Sequence, residues 1–460
     1  MTAPKLSWSD LAGARVGVWG LGREGHASLR KLLTLGVEPV LVDDQPSGPV
    51  QSGTVQSGTV QSGTGEGRPV LAAGDGGLAA LERCDVVVKT PGLSRYRPEV
   101  ARLSGLGIPV VGGLGLWLAA ADLRRVLCVT GTKGKSTTSS VAGHLAGGLG
   151  YRCMVGGNIG AVPYDPDLAG DFDYWVIEVS SFQATDLPVS PPVVAVTSLH
   201  PDHLDWHGGV EQYYRDKLSA CSRPGAELTV ANGDSALLRE HAGLLGPRVE
   251  WISEHDDPAA DWMEPLGLPG RHNRRNALIA RRCLVALGVP GAADDARVRA
   301  AAAGYQPLPS RLTPVGVVGG VTFVDDSLST NVLPTLAALD AFPGRRIALI
   351  VGGHDRGIDY APLAAGVLAR DAPTYVLTLP DSGPRIRAQI EAAARPNHAA
   401  PGVTDCPDLD TAVAAGLAWA QPDGLVLLSP AAPSFGRFRD YRDRGEAFAR
   451  AVRELADHRA

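Results

Sequence analysis

The sequence predicts an α/β protein of three domains: a Rossmann-like N-terminal domain, a central P-loop-type mononucleotide-binding domain and a C-terminal Rossmann-like α/β domain. The chain has 460 residues, which suggests three domains at roughly 100–200 residues each. Hydrophobic residues make up 44% of it, enough for several cores. In each third, apolar strand candidates end in glycine or polar residues, as the strands of nucleotide-binding sheets do. We place the domains at residues 1–118, 119–307 and 308–460.

Composition argues against several classes of protein. The net charge is -6 and lysine and arginine form no long run, so no nucleic-acid partner is expected. The six cysteines include no C-x-x-C pair, which suits reduced thiols and not a disulfide frame or a zinc site. Residues 1–14 lack a signal-peptide pattern, and no apolar run approaches the roughly 20 residues of a membrane span. We therefore expect a cytoplasmic protein with no membrane partner.

The first domain opens with a strand and a glycine-rich turn. The strand Ala14–Trp19 runs into Gly20–Gly25, a G-x-G-x-x-G sequence. A helical segment follows, and a second strand, Pro39–Val42, ends in Asp43 and Asp44. This order is typical of a dinucleotide-binding turn whose acidic residue meets a ribose. The alternative is a turn whose glycines only allow tight packing.

The rest of the first domain contains two more strands and an insert. The strands are Asp85–Lys89 and Pro109–Val111, and Leu114–Asp122 is expected to be a linker to the second domain. Residues Val50–Gly65 repeat Val-Gln-Ser-Gly-Thr three times. Such residues bury little apolar surface, so the repeat is predicted to be a flexible surface loop, to which we assign no function.

The second domain is organised around a phosphate-loop motif, Thr130–Ser136. An apolar strand precedes the motif and a helical segment follows it. In such a turn, backbone N–H groups and the helix N-terminus face a phosphate, Lys135 reaches the outer phosphates, and the Ser136 or Thr137 hydroxyl holds Mg²⁺. Val129 stands where the full motif has glycine, so the loop is a shortened variant. The alternative is an ordinary surface turn.

Ligand-type side chains lie at two strands of the second domain. Glu178 lies inside an apolar strand, where an unpaired carboxylate is costly, and Mg²⁺ beside the phosphate loop would offset that cost. His200 and His203 follow the strand Val193–Thr197, at the edge where open α/β sheets bind ligands. A lone histidine is more often a satisfied surface residue. Beside Glu178 and Ser136, however, His203 is favoured as a ligand.

Breaker residues divide the remaining sequence. Lys217 is predicted to lie in the middle of a helix. A Gly/Asn-rich turn, Pro269–Asn276, precedes the helix Ala277–Leu287, and Gly304–Arg311 reads as a domain boundary. The third domain has strands that end in polar or glycine residues, the pattern of a switch-point ligand site. These strands are Thr322–Val324, Arg346–Val351 and Gly424–Leu428.

Together these motifs resemble the Mur ligase superfamily over nearly the whole chain. The phosphate loop is similar to the family's ATP loop, which usually has asparagine where Lys133 stands. The other motifs follow in the family's order: Glu178–Gln183, His203–Asp205, Lys217, His272-Asn273, Asp326-Ser327, Ser429-Pro430 and Arg444-Gly445. The Ser-Ser-Phe-Gln sequence and the tail 434–444 are similar to the branch that adds glutamate to UDP-N-acetylmuramoyl-L-alanine.

The resemblance implies an ATP-dependent acid–amino-acid ligase of cytoplasmic peptidoglycan synthesis, and hence a role in cell wall biogenesis, cell shape and cell division. ATP would phosphorylate the substrate's alanine carboxylate, and the amine of glutamate would attack the acyl phosphate, releasing phosphate. The three domains would bind the UDP substrate, ATP and glutamate in that order. Closure of the third domain, with hinges near Leu116–Ala121 and Gln306–Ser310, would exclude water. We expect a monomer.

By the same resemblance, each ligand receives a set of residues. The ATP set is Thr132, Lys133, Gly134, Lys135, Ser136, Thr137, Thr138, Asn276, Arg311, Asp326 and Asp355. The UDP-substrate set is Gly20, Leu21, Gly22, Asp43, Asn158, Ser180 and Gln183. The glutamate set is Thr330, Arg356, Ser434, Phe435 and Tyr441. The set for two Mg²⁺ ions is Ser136, Glu178, His203 and Lys217, and the catalytic set is Lys135, His203 and Lys217.

Lys217 matches the family's carbamylated lysine. Addition of CO₂ to a neutral, desolvated amine gives a carboxylate that can ligate a second Mg²⁺ ion. The alternative is an ordinary lysine on a helix surface.

Two positions depart from the usual glutamate-adding pattern. Leu328 stands where lysine is usual, and Ser310 where histidine is usual. Because an aliphatic chain cannot replace an ion pair to a dicarboxylate, the amino acid should be held differently. Leu328 and the sequence Gly353–Gly357 are closer to a branch that adds L-glutamate. We therefore favour L-glutamate slightly, with D-glutamate as the alternative.

Three other functions are compatible with parts of the sequence. A folylpolyglutamate synthase shares the phosphate loop but normally lacks the N-terminal domain. An NAD-dependent oxidoreductase using Gly20–Gly25 would bind NADH. In a non-catalytic ATP-binding regulator, Lys217 and His203 would be merely structural.

Overall fold

Three largely parallel sheets confirm the predicted α/β class. The computed structural model describes residues 5–46, 67–394 and 402–457, so the repeat predicted to be a surface loop lies outside them. The chain divides into two compact units. The first comprises Met1–Pro265 and Arg275–Tyr305, and the second comprises Leu266–Arg274 and Gln306–Ala460. The predicted boundary between residues 118 and 119 falls inside the first unit and stays a prediction.

The first sheet carries the G-x-G-x-x-G turn. Its strands are β1 (Val16–Trp19), β2 (Val40–Asp43), β3 (Val70–Ala72), β4 (Val86–Lys89) and β5 (Val110–Gly112), and its helices are α1 (Arg23–Thr34), α2 (Leu78–Leu81), α3 (Pro98–Gly105) and α4 (Gly113–Leu118). The strands are parallel in the order β3-β2-β1-β4-β5. The linker expected at Leu114–Asp122 is corrected, because α4 is a buried helix.

The second sheet carries the phosphate loop. Its strands are β6 (Val126–Thr130), β7 (Cys153–Gly157), β8 (Tyr174–Glu178), β9 (Val193–Val196), β10 (Leu228–Asn232) and β11 (Val249–Ile252). The associated helices are α5 (Lys135–Gly148), α6 (Ser181–Ala184), α7 (Leu204–His207), α8 (Val210–Leu218), α9 (Ala236–Glu240), α10 (Arg271–Ala286) and α11 (Asp295–Ala302). The strand order β11-β10-β9-β6-β8-β7 is parallel throughout and places β6 between β9 and β8.

The first two sheets share one hydrophobic core. Residues of β1, such as Val16 and Val18, belong to the same buried cluster as Val126 and Cys128 of β6. Leu116 of α4 lies in this cluster. A hinge at Leu116–Ala121 would therefore have to separate core contacts, because packed interiors tolerate few voids.

The second unit is a mixed sheet covered on both faces. Its strands are β12 (Thr313–Val318), β13 (Val321–Asp325), β14 (Ile347–Gly353), β15 (Thr374–Asp381), β16 (Gly402–Asp405) and β17 (Leu425–Leu428), and its helices are α12 (Val332–Asp340), α13 (Ala361–Leu368), α14 (Gly383–Ala393), α15 (Leu409–Ala420) and α16 (Tyr441–Asp457). Only the β12–β13 pair is antiparallel within this sheet. Successive residues of β14, Leu349 and Ile350, enter two different core clusters, because successive side chains of a strand point to opposite faces of the sheet.

Two local predictions are corrected. The turn expected at Pro269–Asn276 is mostly helix, since α10 begins at Arg271. Lys217 lies at the penultimate position of α8, not in the middle of a helix. In the part of the chain that the structure describes, no helix is both long and apolar enough to cross a membrane.

Candidate functional site

The phosphate loop connects the end of β6 to the start of α5 through two glycines of positive φ. Gly131 has φ 134° and Gly134 has φ 89°. A Cβ on Gly131 would lie 2.2 Å from Thr197 Oγ1, and one on Gly134 would lie 2.8 Å from Asn276 Oδ1. Both positions therefore require glycine. The second contact also places Asn276, a residue of the predicted ATP set, directly beside the loop.

The end of β9 holds the loop in place. Thr132 N donates to Ser198 O at 2.9 Å, and Lys133 N donates to Ser198 Oγ at 2.8 Å. Thr197 Oγ1 donates to Lys133 O at 2.6 Å. Lys133 Nζ lies 3.4 Å from Asp202 Oδ2. These bonds within the protein fix the loop conformation, and phosphate-binding loops use such pre-organisation.

Two lysines meet at one carbonyl oxygen of the loop. Lys135 Nζ donates to Gly131 O at 2.9 Å, and Lys217 Nζ donates to the same oxygen at 3.1 Å. Lys217 is 3% exposed, and its Nζ lies 5.1 Å from the centre of the Tyr213 ring. Burial, and next the charge of Lys135, hold the pKa of Lys217 well below the usual range for lysine. Lys217 is thus no surface lysine, and its environment favours the neutral amine that carbamylation needs.

Glu178 ends β8 beside the phosphate loop. It pairs in register with Val129 of β6 and is 1% exposed. Its Oε1 accepts a hydrogen bond from Asn158 Nδ2 at 2.6 Å, while its buried Oε2 has no hydrogen-bond partner among the described residues. A buried carboxylate oxygen without a donor is costly, so the position suits a bound cation.

His203 lies at the N-cap of the short helix α7, just before its first residue, in a left-handed conformation with φ 50°. Its ring packs against Phe182, with centroids 5.0 Å apart. Burial lowers the pKa of His203, and burial followed by the charge of Lys133 lowers that of His200. Both shifts favour the unprotonated imidazole, which is the form that binds metals.

The predicted metal ligands beside the phosphate loop suit an Mg²⁺ ion that is bound together with phosphate. Within the described residues, no three His, Cys, Asp or Glu side chains gather closely enough to form a metal cage. Mg²⁺ commonly takes only one or two protein carboxylates and completes its shell with water and phosphate oxygens. Glu178 can supply the carboxylate. The hydroxyl of Ser136, in the first turn of α5, is the second predicted ligand.

The G-x-G-x-x-G turn is stabilised from within the first sheet. Asp43 accepts from Leu21 N at 2.8 Å and from Gln45 N at 3.0 Å, so both its carboxylate oxygens bind backbone. Gly20 has φ 91°, and a Cβ there would lie 2.2 Å from Thr90 Oγ1. Gly22, in contrast, faces open space. The turn therefore packs tightly on one side and leaves the other side accessible.

Three residues of the predicted UDP-substrate set lie together, next to two residues that the sequence did not single out. Gln183 accepts from Ser180 N at 2.9 Å and donates to Glu24 Oε1 at 2.7 Å. Arg23 donates to the carbonyl of Asn158 at 3.0 Å. Burial raises the pKa of Glu24 to about 7. Arg23 and Glu24 are the variable positions of the glycine motif, and no sequence pattern assigns them a partner more than 130 residues away.

In the second unit, the two predicted ribose residues have different surroundings. Asp326 is buried, and it accepts from Ser329 Oγ at 2.5 Å and Ser429 Oγ at 2.7 Å. Burial raises the pKa of Asp326 to about 7. Asp355 pairs with Arg385 at 2.5 Å near the surface. Arg311, also of the ATP set, belongs to this unit.

Two residues of the predicted glutamate set line a pocket in the second unit. The pocket is formed by Gly352, Gly353, Leu379, Ser434, Phe435, Arg437, Phe438 and Arg444. Arg356 approaches it, with its guanidinium 5.9 Å from the Phe435 ring. Thr330 and Tyr441 are not among its lining residues. Arg444 is 1% exposed, and burial lowers its pKa to about 10.

Comparison with known proteins identifies the family. Residues 129–264 match the Mur ligase middle domain, and residues 310–432 match the Mur ligase glutamate ligase domain. A relative from Micromonospora sp. is 40% identical over 98% of this chain and 99% of its own length. The chain belongs to the Mur ligase family. It is therefore an ATP-dependent ligase that forms amide bonds, as the sequence motifs predicted.

Other relatives and solved structures agree. The Micromonospora relative, one from Salinispora tropica (39% identity, 97% of this chain and 99% of the relative) and one from Xanthomonas euvesicatoria pv. vesicatoria (38%, 96% and 95%) are all named UDP-N-acetylmuramoyl-L-alanine–L-glutamate ligase. UDP-N-acetylmuramate-alanine ligase from Thermotoga maritima has the same fold, with a TM-score of 0.55 at 17% identity over 96% of this Mur ligase and 99% of that chain. A MurF ligase from Thermotoga maritima in complex with ADP gives a TM-score of 0.54 at 14% identity, over 99% and 98%.

Proposed function

We propose that this Mur ligase joins L-glutamate to UDP-N-acetylmuramoyl-L-alanine at the expense of ATP. The relatives that carry this name match the chain almost from end to end, which covers the N-terminal sheet as well as the ATP and glutamate regions. That coverage disfavours a folylpolyglutamate synthase. The observation that carries the chemistry is the buried Glu178, with its orphaned oxygen, beside a loop where Lys135 and Lys217 converge.

In this proposal the phosphate loop holds the ATP phosphates. Lys135 neutralises charge that develops on the transferred phosphoryl group, and the N-terminus of α5 adds its positive end. Glu178, Ser136 and His203 would hold Mg²⁺ directly or through water, and carbamylated Lys217 would hold a second ion. Bound there, Mg²⁺ would supply Lewis-acid stabilisation of the phosphoryl oxygens. The substrate's alanine carboxylate takes the phosphoryl group, and ADP leaves.

The UDP part of the substrate is assigned to the first sheet. The open side of the turn at Gly22 faces the N-terminus of α1, which can bind a diphosphate. Asp43 keeps this turn rigid through its two backbone hydrogen bonds. Asn158 and Gln183 mark the path from the turn to Glu178, because each is within hydrogen-bonding distance of Glu178 or Glu24.

The pocket with Ser434 and Phe435 is assigned to glutamate. It is lined by two arginines: Arg437, which the sequence did not single out, and Arg444, which belongs to a family motif but received no role from the sequence. The Arg444 Nε atom has no hydrogen-bond partner in the described parts of the second unit. Since guanidinium groups bind carboxylates well, these arginines can supply the cation that Leu328 does not.

The decisive experiment measures phosphate release. We expect release only when ATP, UDP-N-acetylmuramoyl-L-alanine and glutamate are all present, with L-glutamate preferred over D-glutamate when each is offered separately. Preference for D-glutamate would overturn the choice of enantiomer and leave the ligase assignment in place. Tight NADH binding with no binding of the UDP-sugar would refute the ligase itself. The same preparation should sediment as a monomer, and we place the reaction in the cytoplasm.

A further inference from the structure

A chain of buried hydrogen bonds lies beside the site and takes no part in the chemistry proposed above. His207 Nδ1 is 2.6 Å from Asp216 Oδ2, and His207 Nε2 is 2.9 Å from Ser181 Oγ. The exposed fractions of Ser181, His207 and Asp216 are 2%, 2% and 6%. Because a carboxylate only accepts, the hydrogen on Nδ1 points to Asp216. We call these three residues the Ser181–His207–Asp216 relay.

The relay continues to the first sheet through Asp216. The other oxygen of this carboxylate, Oδ1, accepts from Tyr96 Oη at 2.7 Å and from Gln212 Nε2 at 2.8 Å. Tyr96 lies in the loop after β4. One carboxylate thus connects a loop of the first sheet, the helix α8 and, through His207, the start of α6. All of these elements belong to the first unit.

The two ends of the relay lie close in sequence to two of the proposed metal-binding residues, Lys217 and Glu178. Asp216 precedes Lys217 in α8, and Ser181 lies three residues after Glu178. Lys217 reaches the Gly131 carbonyl from the last turn of α8. A shift of α8 relative to β8 would therefore move the Lys217 amine relative to the Glu178 carboxylate. The relay opposes that shift because its bonds cross from α8 to α6.

We infer that His207 is a positioning residue that fixes the distance between Lys217 and Glu178 at the phosphate loop. The inference rests on the proposed function, in which these two residues bind Mg²⁺. Partners outside the first shell of a metal site commonly change activity or affinity by about 10–100-fold when they are removed. No residue of the relay is in the set predicted to touch ATP, magnesium or either substrate.

The order serine, histidine, aspartate is also that of a nucleophilic triad. A nucleophile has to meet its substrate, however, and Ser181 is enclosed. The His207 ring lies 5.6 Å from the Phe182 ring, 4.4 Å from that of Trp206 and 5.2 Å from that of Tyr213. These aromatic rings pack the region on several sides, which favours the positioning role over acyl transfer.

The test compares variants that keep the ring packing. His207→Phe retains an aromatic ring and removes both hydrogen bonds, whereas His207→Asn can still donate to Asp216. We expect His207→Phe to lower kcat by about 10–100-fold, with the KM values for ATP and the UDP substrate nearly unchanged. His207→Asn should recover part of kcat. A purely structural role would not separate kcat from KM or show this partial rescue.

His241→Phe is the matched control. The His241 ring packs on that of Tyr214, a residue of α8, with ring centroids 4.7 Å apart. Its Nδ1 atom donates to the Leu237 carbonyl at 2.9 Å. It makes no bond to the relay among the described residues. We expect His241→Phe to keep the wild-type kcat.

A second readout does not depend on turnover. Amine-reactive labelling of Lys217, followed by mass spectrometry, should be faster in His207→Phe than in wild type or His241→Phe. Unchanged labelling, wild-type kcat in His207→Phe, or reaction of Ser181 with a fluorophosphonate probe would each overturn the inference. If the wild-type protein showed no ligase activity, the proposed function would fail, and the labelling comparison would still decide the positioning role.

Discussion

The carbonyl oxygen of Gly131 accepts from two lysine amines, Lys135 and Lys217. A single neutral acceptor cannot compensate two positive charges, and this is one reason that the pKa of Lys217 is held low. With the amine of Lys217 favoured in its neutral form, the ammonium group of Lys135 is the positive charge that the loop offers to phosphate. Glu178 contributes the opposite sign a short distance away in the sheet, on the strand next to β6.

Lys135→Ala should abolish activity while leaving the fold intact. Loss of a charged group that stabilises the transition state typically costs about 100–1,000-fold in rate. Lys135 Nζ donates to two loop carbonyls, Gly131 O and Thr132 O, and truncation of this loop-facing side chain should leave the core packing intact. Phosphate release and thermal unfolding measure the two effects. An active Lys135→Ala enzyme would contradict the assignment of the phosphate loop.

Lys217→Ala should lose activity by about 100-fold or more, because metal-ion stabilisation is worth several kcal/mol. Short carboxylic acids such as formate and acetate should restore part of it by replacing the carbamate. Lys135→Ala serves as the control, since a carboxylate cannot replace its ammonium group. If none of these acids restores activity to Lys217→Ala, the assignment of a carbamate to Lys217 is wrong.

Asp326 predicts a pH dependence of stability. Its folded pKa of about 7 lies above the unfolded value of about 3.9. The stabilising proton is fully bound below the unfolded value and is lost as pH rises through 7. Wild type should therefore lose about 2–3 kcal/mol relative to Asp326→Asn between pH 5 and pH 8. Denaturant unfolding of both proteins at several pH values measures this difference in the free energy of unfolding. If that free energy changed with pH equally in both proteins, the prediction would be wrong.

At the scale of elements, short-range patterns were sufficient for the phosphate loop. Strand, glycine turn and helix follow one another in sequence, and each required residue type is local. The helix α4 was missed because its sequence, Gly-Leu-Gly-Leu-Trp-Leu, has two poor helix formers. Packing of its leucines into the shared core outweighs that propensity.

Contacts between distant elements could not be predicted from the sequence. Glu178 was predicted as a metal ligand because a carboxylate is unusual inside an apolar strand, and Lys217 was predicted from the family resemblance; both assignments stay predictions. Arg437 and Arg444 were missed as a pair, since only the fold places them around one pocket. The bond from Tyr96 to Asp216 spans 120 positions and follows no local pattern.

The ion pair between Lys89 of β4 and Asp186, which follows α6, predicts strong coupling of the two sheets. The side chains are 0% and 4% exposed, and their charged atoms are 2.5 Å apart. Lys89→Met leaves a buried carboxylate and should destabilise the protein by about 3 kcal/mol. Arg95, 3.8 Å from Asp186, keeps the effect at the lower end of the usual range.

Replacing both partners provides the control for that prediction. Lys89→Met combined with Asp186→Leu should recover most of the lost stability, because a buried pair is often replaceable by apolar residues. Thermal unfolding of the three proteins is the measurement. If Lys89→Met alone unfolded at the wild-type temperature, the ion pair would contribute little to stability.

At the scale of the whole molecule, the chain has two compact units with separate cores. The first and second sheets share a core, whereas the third sheet has its own. Differential scanning calorimetry should resolve two transitions, and Lys89→Met should lower only the one that belongs to the first unit. A single transition, or a shift of both by this variant, would contradict the division.

The shared core of the first two sheets also limits how such a protein can be recombined. An exchange of the first 118 residues with another member of the family would bring foreign side chains into the cluster around Val16, Val126 and Leu116. A crossover near Tyr305 instead keeps the first unit whole and leaves only the short segment Leu266–Arg274 of the second unit on the N-terminal side. Functional chimaeras should therefore exchange the last 155 or so residues as one segment, and keep the N-terminal sheet together with the second sheet, whose core it shares.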